Sequence, residues 1–203
     1  MGQVCPVMAL LISSASTSLD GFVASPDDDP GPLFDWYSAG DVVVPNAGDL
    51  PPFHLTPTSA AHWRDWVTRL GCVLVGRRLF DLTDGWRGRH PLGVPVVVLT
   101  HRPPTGWDHP GTEDPTFATT VPEAVAAATA IAGERVVGVA AGEVATQLHA
   151  AGLLDEVRVD LVPVFLGRGR RYFTDPDAPV RLSGPSSVVV SEGVTHLSFP
   201  VRR

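Results

Sequence analysis

Short runs of apolar and β-branched residues recur along this chain with amphipathic helical patterns between them, and that alternation constrains its fold more than any other feature. Runs at 8–12, 72–75, 94–99, 135–140, 156–165, 187–191 and 195–201 read as strands. Helical periodicity covers 58–70, capped by Thr56 or Thr58 and stopped by Gly71, then 122–132 with Pro122 in its first turn, and 143–151, closed by Gly152. Strands that alternate with helices connect through right-handed crossovers and give a largely parallel sheet covered on both faces. The last two strands are joined by Glu192-Gly193, so the sheet ends in an antiparallel hairpin. The fold class expected is therefore α/β, a three-layer sandwich. Segments 25–32 and 41–57, rich in Pro, Gly and Asp, read as loops.

A length of 203 residues suits one such domain over 1–203, and 44% hydrophobic against 18% charged residues supplies a core that orders the chain without a partner. No apolar run nears the length of a membrane span, so no membrane partner and a cytoplasmic location are expected. Cys72 lies within a strand-like run and reads as a small buried hydrophobe, so no structural disulfide with Cys5 is expected. With 15 basic and 22 acidic residues the net charge is −7, which gives no global attraction to nucleic acid. Any anion must be held by a local cluster.

Such clusters stand at three strand ends. In Val75-Gly76-Arg77-Arg78 a buried strand passes through glycine into a helix start bearing two arginines, where the helix dipole repels cations. A bound phosphate reverses that sign, since free N–H groups, dipole and guanidinium forks then act on one anion. Ordinary surface arginines are the alternative. A second strand ends in Thr100-His101-Arg102, suited to a 2′-phosphate of the kind that separates NADPH from NADH, or simply a polar turn stopped by Pro103 and Pro104. A third runs into Ala141, Gly142, Glu143, Val144 and Ala145, small residues where a backbone approaches a pyrophosphate, though glycine also serves tight turns without a ligand. Three such ends fit a dinucleotide lying across one sheet edge. Neither a G-x-G-x-x-G nor a Walker loop is present.

The run Ser18-Leu19-Asp20-Gly21-Phe22-Val23-Ala24, the Gly76-Arg77-Arg78 step, Gly85-Trp86, Ala151-Gly152-Leu153-Leu154-Asp155-Glu156 and Pro163-Val164-Phe165-Leu166-Gly167-Arg168-Gly169 resemble the dihydrofolate-reductase-like family. The resemblance is to its riboflavin-biosynthesis reductase group, the RibD C-terminal domain, and spans nearly the whole chain in order. It implies an NADPH-dependent reductase, commonly a homodimer. It places NADPH phosphates near Gly76, Arg77, Arg78, Thr100, His101 and Arg102, and the pyrophosphate and nicotinamide end near residues 141–145. The family usually has Gly-Gly where this chain has Ala141-Gly142, and the added methyl narrows that approach.

On the substrate side the resemblance puts Asp20 on the loop bordering the nicotinamide, and Asp35 roughly where folate reductases carry the carboxylate that assists protonation. Hydride transfer to C=N or C=O also needs a proton, which makes these two the catalytic candidates, Asp35 first. Asp20 is equally suited to a turn with Gly21, and Asp35 to a helix start. Phe22, Trp36, Trp86 and Phe165 are candidates to contact a heterocyclic small-molecule substrate, pterin-like or riboflavin-pathway-like, although aromatic residues of this kind also build cores. His54, His62 and His90 lack metal-ligand spacing, so no metal is expected. The chain also lacks the Cys-x-x-Cys and His-x-Glu pair of the deaminase half of the bifunctional riboflavin enzyme, leaving the reductase role alone. The alternative is a non-catalytic nucleotide-binding or dimeric structural descendant of the same fold.

Overall fold

The computed structural model describes residues 9–48, 50–107 and 114–202, so Cys5 and the first residue of the 8–12 run lie outside the described residues. In chain order the elements are β1 (Leu11–Ser18), β2 (Phe22–Ala24), a 3-10 segment (Gly31–Ser38), β3 (Val42–Val44), β4 (Phe53–Leu55), α1 (Pro57–Arg69), β5 (Leu70–Gly76) and α2 (Arg77–Leu82). A 3-10 turn (Asp84–Gly88), β6 (Val96–Leu99), β7 (Thr116–Ala118), α3 (Val121–Ala132), β8 (Val136–Ala140) and α4 (Glu143–Ala150) follow, then β9 (Glu156–Val162), β10 (Arg170–Arg171), β11 (Ser187–Ser191) and β12 (Val194–Pro200). None of the described helices is long and apolar enough to cross a membrane.

Among the described residues the main sheet has eight strands in the order β11-β12-β9-β1-β8-β5-β6-β7. From β9 to β7 all neighbours are parallel, while β12 runs antiparallel to β9 and pairs with β11 in the expected hairpin. The α/β reading thus holds, and the three long helices start within two residues of their expected positions. Thr56 caps α1 by accepting from the Ser59 N–H at 3.1 Å, and Thr120 does the same for α3 from Glu123 at 3.3 Å. Ala124, Ala128 and Ala132 form the buried stripe of α3, four residues apart, and their small side chains let the helix lie close on β5 and β6.

Two expectations are corrected. The first strand is Leu11–Ser18 rather than 8–12, and its later half is Ser- and Thr-rich. It sits between β8 and β9, paired with β9 from Ile12 to Ser18 and with β8 over Leu11–Ser14, and Ser13, Ser16, Thr17 and Ser18 are buried. The 41–57 segment is not all loop: Val42–Val44 and Phe53–Leu55 form a two-stranded ladder, with the Pro- and Gly-rich part as the connection.

Among the described residues three apolar clusters result. One, between the sheet and α3 and α4, includes Leu74, Val97, Val137 and Leu148. A second, on the α1 face, gathers Ile12, Trp66, Val75, Phe80 and Val98. The third fixes the 3-10 segment and the β3–β4 pair through Leu33, Trp36, Val44, Leu55 and Ala60.

Candidate active site

The carboxyl ends of β1, β5 and β8 open into a cleft of about 870 Å³. β1 contributes Ser14, Ala15 and Ser16 to its wall, the β5–α2 junction Gly76, Arg78 and Leu79, and the β8–α4 junction the run from Ala140 to Val144. The remaining side comes from the β2–β10 ladder and the loop after β2, with Val23, Ala24, Asp28, Gly169 and Arg170. A crevice at the carboxyl ends of a parallel sheet, where successive crossovers leave in opposite directions, is where α/β folds bind ligands. Here that point lies between the neighbours β5 and β8: the chain leaves β5 toward β6 on one side and leaves β8 toward β9 on the other.

Two of the three strand ends singled out in the sequence meet in this cleft. Gly142, at φ +89°, turns β8 into α4 in a backbone region that favours glycine, and its N–H donates to the Tyr172 carbonyl at 2.7 Å. That spends one donor, but the first-turn N–H groups of Glu143, Val144 and Ala145 have no intrahelical acceptor. The Val144 side chain lines the cleft, whereas Ala145 is fully buried in the core behind it. The third end, Thr100 to Arg102, does not line the cleft. Thr100 is buried, its hydroxyl bonded to the Arg102 carbonyl at 3.1 Å, while His101 and Arg102 are exposed. Arg77 couples the two ends by donating to the same carbonyl at 2.6 Å, and its Nε bonds Asp81 at 2.7 Å.

Arg78 is held by a residue the sequence did not single out. Its Nε and Nη2 both donate to the Asp28 carboxylate, which also accepts from Arg170 Nε at 2.9 Å. Arg78, followed by Arg170, holds the Asp28 carboxyl well below the ordinary range, at about 2, so it is ionised at every ordinary pH. Asp28 sits at φ +66°, a strained backbone for a non-glycine residue. Nothing periodic marks it within Asp27-Asp28-Asp29. Arg170 had a legible signal, a second arginine pair following glycine at Gly169-Arg170-Arg171.

Gly169 fixes the spacing of this wall. A Cβ there would stand 2.0 Å from the Ala24 carbonyl oxygen, and its φ of +155° is one that L residues rarely adopt. Backbone cannot rotate aside as a side chain does, so Gly169→Ala should cost about 1–3 kcal/mol and weaken cleft ligands at the same time. Chemical denaturation beside a binding titration checks both.

The substrate-side candidates scatter. The Asp20 carboxylate accepts from Ser18 Oγ at 2.6 Å and from the Leu166 and Gly167 N–H groups at 3.1 and 2.7 Å, fastening the 163–169 loop to the end of β1. The Ser18 bond, with those two N–H groups, keeps its pKa below the ordinary value. Asp35 is exposed on the 3-10 segment and does not line the cleft, although its neighbour Phe34 does. Trp36 is 2% exposed and donates from Nε1 to Ser16 Oγ at 3.1 Å, so it stands behind the cleft wall. Phe22 is buried beneath the Arg171 guanidinium, Trp86 packs on His90, and Phe165 is 73% exposed.

One group of metal-ligating side chains converges among the described residues: His62, Asp160 and His196 bring ligand atoms within 4.8 Å of one another. Asp160 and His196 are cross-strand partners, and His62 stacks on His196 at 4.1 Å with ring planes 15° apart. Parallel rings direct their nitrogen lone pairs side by side rather than to a common centre. Both His196 nitrogens are also engaged, Nδ1 with Asp160 at 2.6 Å and Nε2 with Ser59 Oγ at 3.0 Å. This is a hydrogen-bonded stack. Its Ser–His–Asp order cannot act on a substrate, because Ser59 and His196 are each 1% exposed.

The strand order, the antiparallel hairpin beyond β9 and the cleft at the carboxyl edge define a dihydrofolate-reductase-like domain. A protein from Shewanella sp. PV-4 attributed to riboflavin biosynthesis superposes with a TM-score of 0.67 at 19% identity, over 96% of this chain and 99% of that one. Dihydrofolate reductase from Enterococcus faecalis, complexed with NADP(H), does so at 0.59 and 16%, over 98% and 100%. The diaminohydroxyphosphoribosylaminopyrimidine deaminase/5-amino-6-(5-phosphoribosylamino)uracil reductase of Thermotoga maritima gives 0.57 and 15%, with 96% of this chain covering 57% of that larger one. At such identities the likeness is one of fold. The chain belongs to the RibD C-terminal domain family, which it matches over residues 9–196. None of the curated proteins matches it in sequence.

Proposed function

We propose that this protein is an NADPH-dependent oxidoreductase of the cytoplasm that reduces a C=N or C=O bond in a small heterocycle, pterin-like or akin to the pyrimidines of riboflavin synthesis. The observation that carries the reading is the charge of the cleft. Two guanidinium groups, Arg78 and Arg170, share its wall with the N-terminal turn of α4, and the acid that engages them both, Asp28, stands where a ligand's anion would.

NADPH bound there supplies the hydride. Arg78 and Arg170 hold phosphate oxygens once they release Asp28, and the first-turn N–H groups of α4 face the pyrophosphate, with the Ala141 methyl limiting how near it comes. His101 and Arg102, exposed at the neighbouring strand end, hold the 2′-phosphate, while Arg77 and Thr100 brace that turn through the Arg102 carbonyl. The hydroxyls of Ser14 and Ser16 position the substrate or the water that delivers the proton, Asp20 and Asp35 not being among the lining residues. Assembly as a homodimer is part of the same reading. The outer strand β11 has β12 as its single partner among the described residues and turns Val188 and Val190 outward, 54% and 72% exposed.

Quenching or enhancement of NADPH fluorescence tests the reading, with micromolar binding expected and none at tens of micromolar overturning it. Arg102→Ala should weaken NADPH roughly tenfold or more, the worth of a charge-assisted phosphate contact, and leave NADH nearly unchanged. Equal losses would show that Arg102 does not read the 2′-phosphate. A second reading, a nucleotide-binding module without turnover, is favoured by one observation: neither Asp20 nor Asp35 lines the cleft. Binding without NADPH oxidation on pterins or on the riboflavin pyrimidine intermediate would select it.

A further inference from the structure

A second cavity, of about 450 Å³, lies beneath α1 at the start of β9 and shares no lining residue with the cleft. Arg158 lines it. This residue is 6% exposed, and its guanidinium lies 4.5 Å over the Trp66 ring. Its Nε donates to Ser198 Oγ at 3.2 Å, whereas Nη1, enclosed by protein, has no hydrogen-bond partner among the described residues. A buried guanidinium short of acceptors is costly, and although Nη1 itself is closed off, an oxygen entering the adjoining cavity would meet the edge of Arg158 that lines it.

The charges around the cavity decide what kind of acceptor fits. Glu156 stands 3.8 Å from Arg158, and on α1 Asp65 stands 3.8 Å from Arg69. Both separations exceed hydrogen-bond length, so each cation keeps donors and each carboxylate keeps lone pairs to offer. Two guanidiniums balance two carboxylates, and burial, with His196 and Arg158 nearby, pushes the His62 pKa down to about 4, so His62 adds no charge at neutral pH. A polyanion gains nothing from such a lining. A ligand that presents one acid group to Arg158 and a donor to Glu156 or Asp65 satisfies both signs.

We propose that this cavity binds a small carboxylic acid with a hydrogen-bond donor beside the acid group, an amino or hydroxy acid, its carboxylate on Arg158. The full-length, isotope-labelled protein titrated with L-serine and L-lactate tests this by amide chemical shifts. Saturable millimolar shifts confined to α1, the start of β9 and residues 186–198 are expected. Arg158→Met, which keeps an apolar stem on Trp66, should weaken them by about tenfold or more. Ser198→Ala, which removes the bond orienting the guanidinium, should weaken them several-fold and decides the matter where Arg158→Met fails to fold. Shifts of unaltered affinity in the folded variant, no saturation by either acid, or saturation by inorganic phosphate alone would each overturn the proposal.

Discussion

Trp36→Ala should remove about 3–5 kcal/mol of folding stability and lower Tm by roughly 10 °C for a chain of this size. The indole is 2% exposed and packs edge-on against Trp63 and His196, with ring centroids at 6.2 and 5.2 Å, and against Tyr37 at 4.2 Å. Truncation opens a void among Leu33, Leu55 and Ala60 and strips Ser16 of the indole donor. Trp36→Phe should cost less, about 1–2 kcal/mol, because a benzene ring still fills most of the site while the indole hydrogen bond and the smaller fused ring are lost. Denaturant unfolding measures both. A Trp36→Ala protein of undiminished stability with impaired ligand binding would return this residue to the stacking role its sequence position implied.

Arg78→Ala should weaken NADPH by about ten- to a hundredfold, from the 1.5–3 kcal/mol of a hydrogen bond to a charged group. Its side chain is 61% exposed, so folding stability should move by no more than about 0.5 kcal/mol. The loss is compounded by Asp28, whose carboxylate then faces the cleft with Arg170 as its remaining guanidinium partner. Asp28→Asn should act in the opposite sense and tighten NADPH several-fold, since the internal anion no longer competes for Arg78. Fluorescence titration of both variants reads the two signs. Weakening by Asp28→Asn would mean that the carboxylate orients Arg78 for the ligand instead of competing with it.

The helices and the parallel core were legible because their signals are local. Thr56 and Thr120 cap, the alanines of α3 recur every fourth residue, and the strands β5, β6 and β8 are unbroken apolar runs. β1 was misjudged because pairing with β9 along Ile12–Ser18, joined by β8 over Leu11–Ser14, holds as strand a Ser- and Thr-rich segment that carries no apolar run. The cleft was legible in part. Gly76, Arg78 and residues 141–144 announce themselves at strand ends, but which ends converge depends on strand order, and β6 is two places from β8. Trp36 carried no local sign that its ring points into a core assembled from β3, β4 and α1. Asp28 and Arg158 matter through partners 50 and 40 residues away, a distance that no pattern in a window of sequence encodes.

The polar make-up of β1 bears on how the chain is made. Leu11 pairs with Val137 and Ser18 with Val162, so β1 gains its neighbours only after the chain has been made through β8 and β9. Until then its backbone groups are an open edge of the kind that recruits other chains. A valine-rich strand in that position would be an aggregation hazard throughout the wait; Leu11–Ser18, with Ser13, Ser14, Ser16, Thr17 and Ser18, stays hydrated and weakly self-associating until β8 and β9 arrive to bury it.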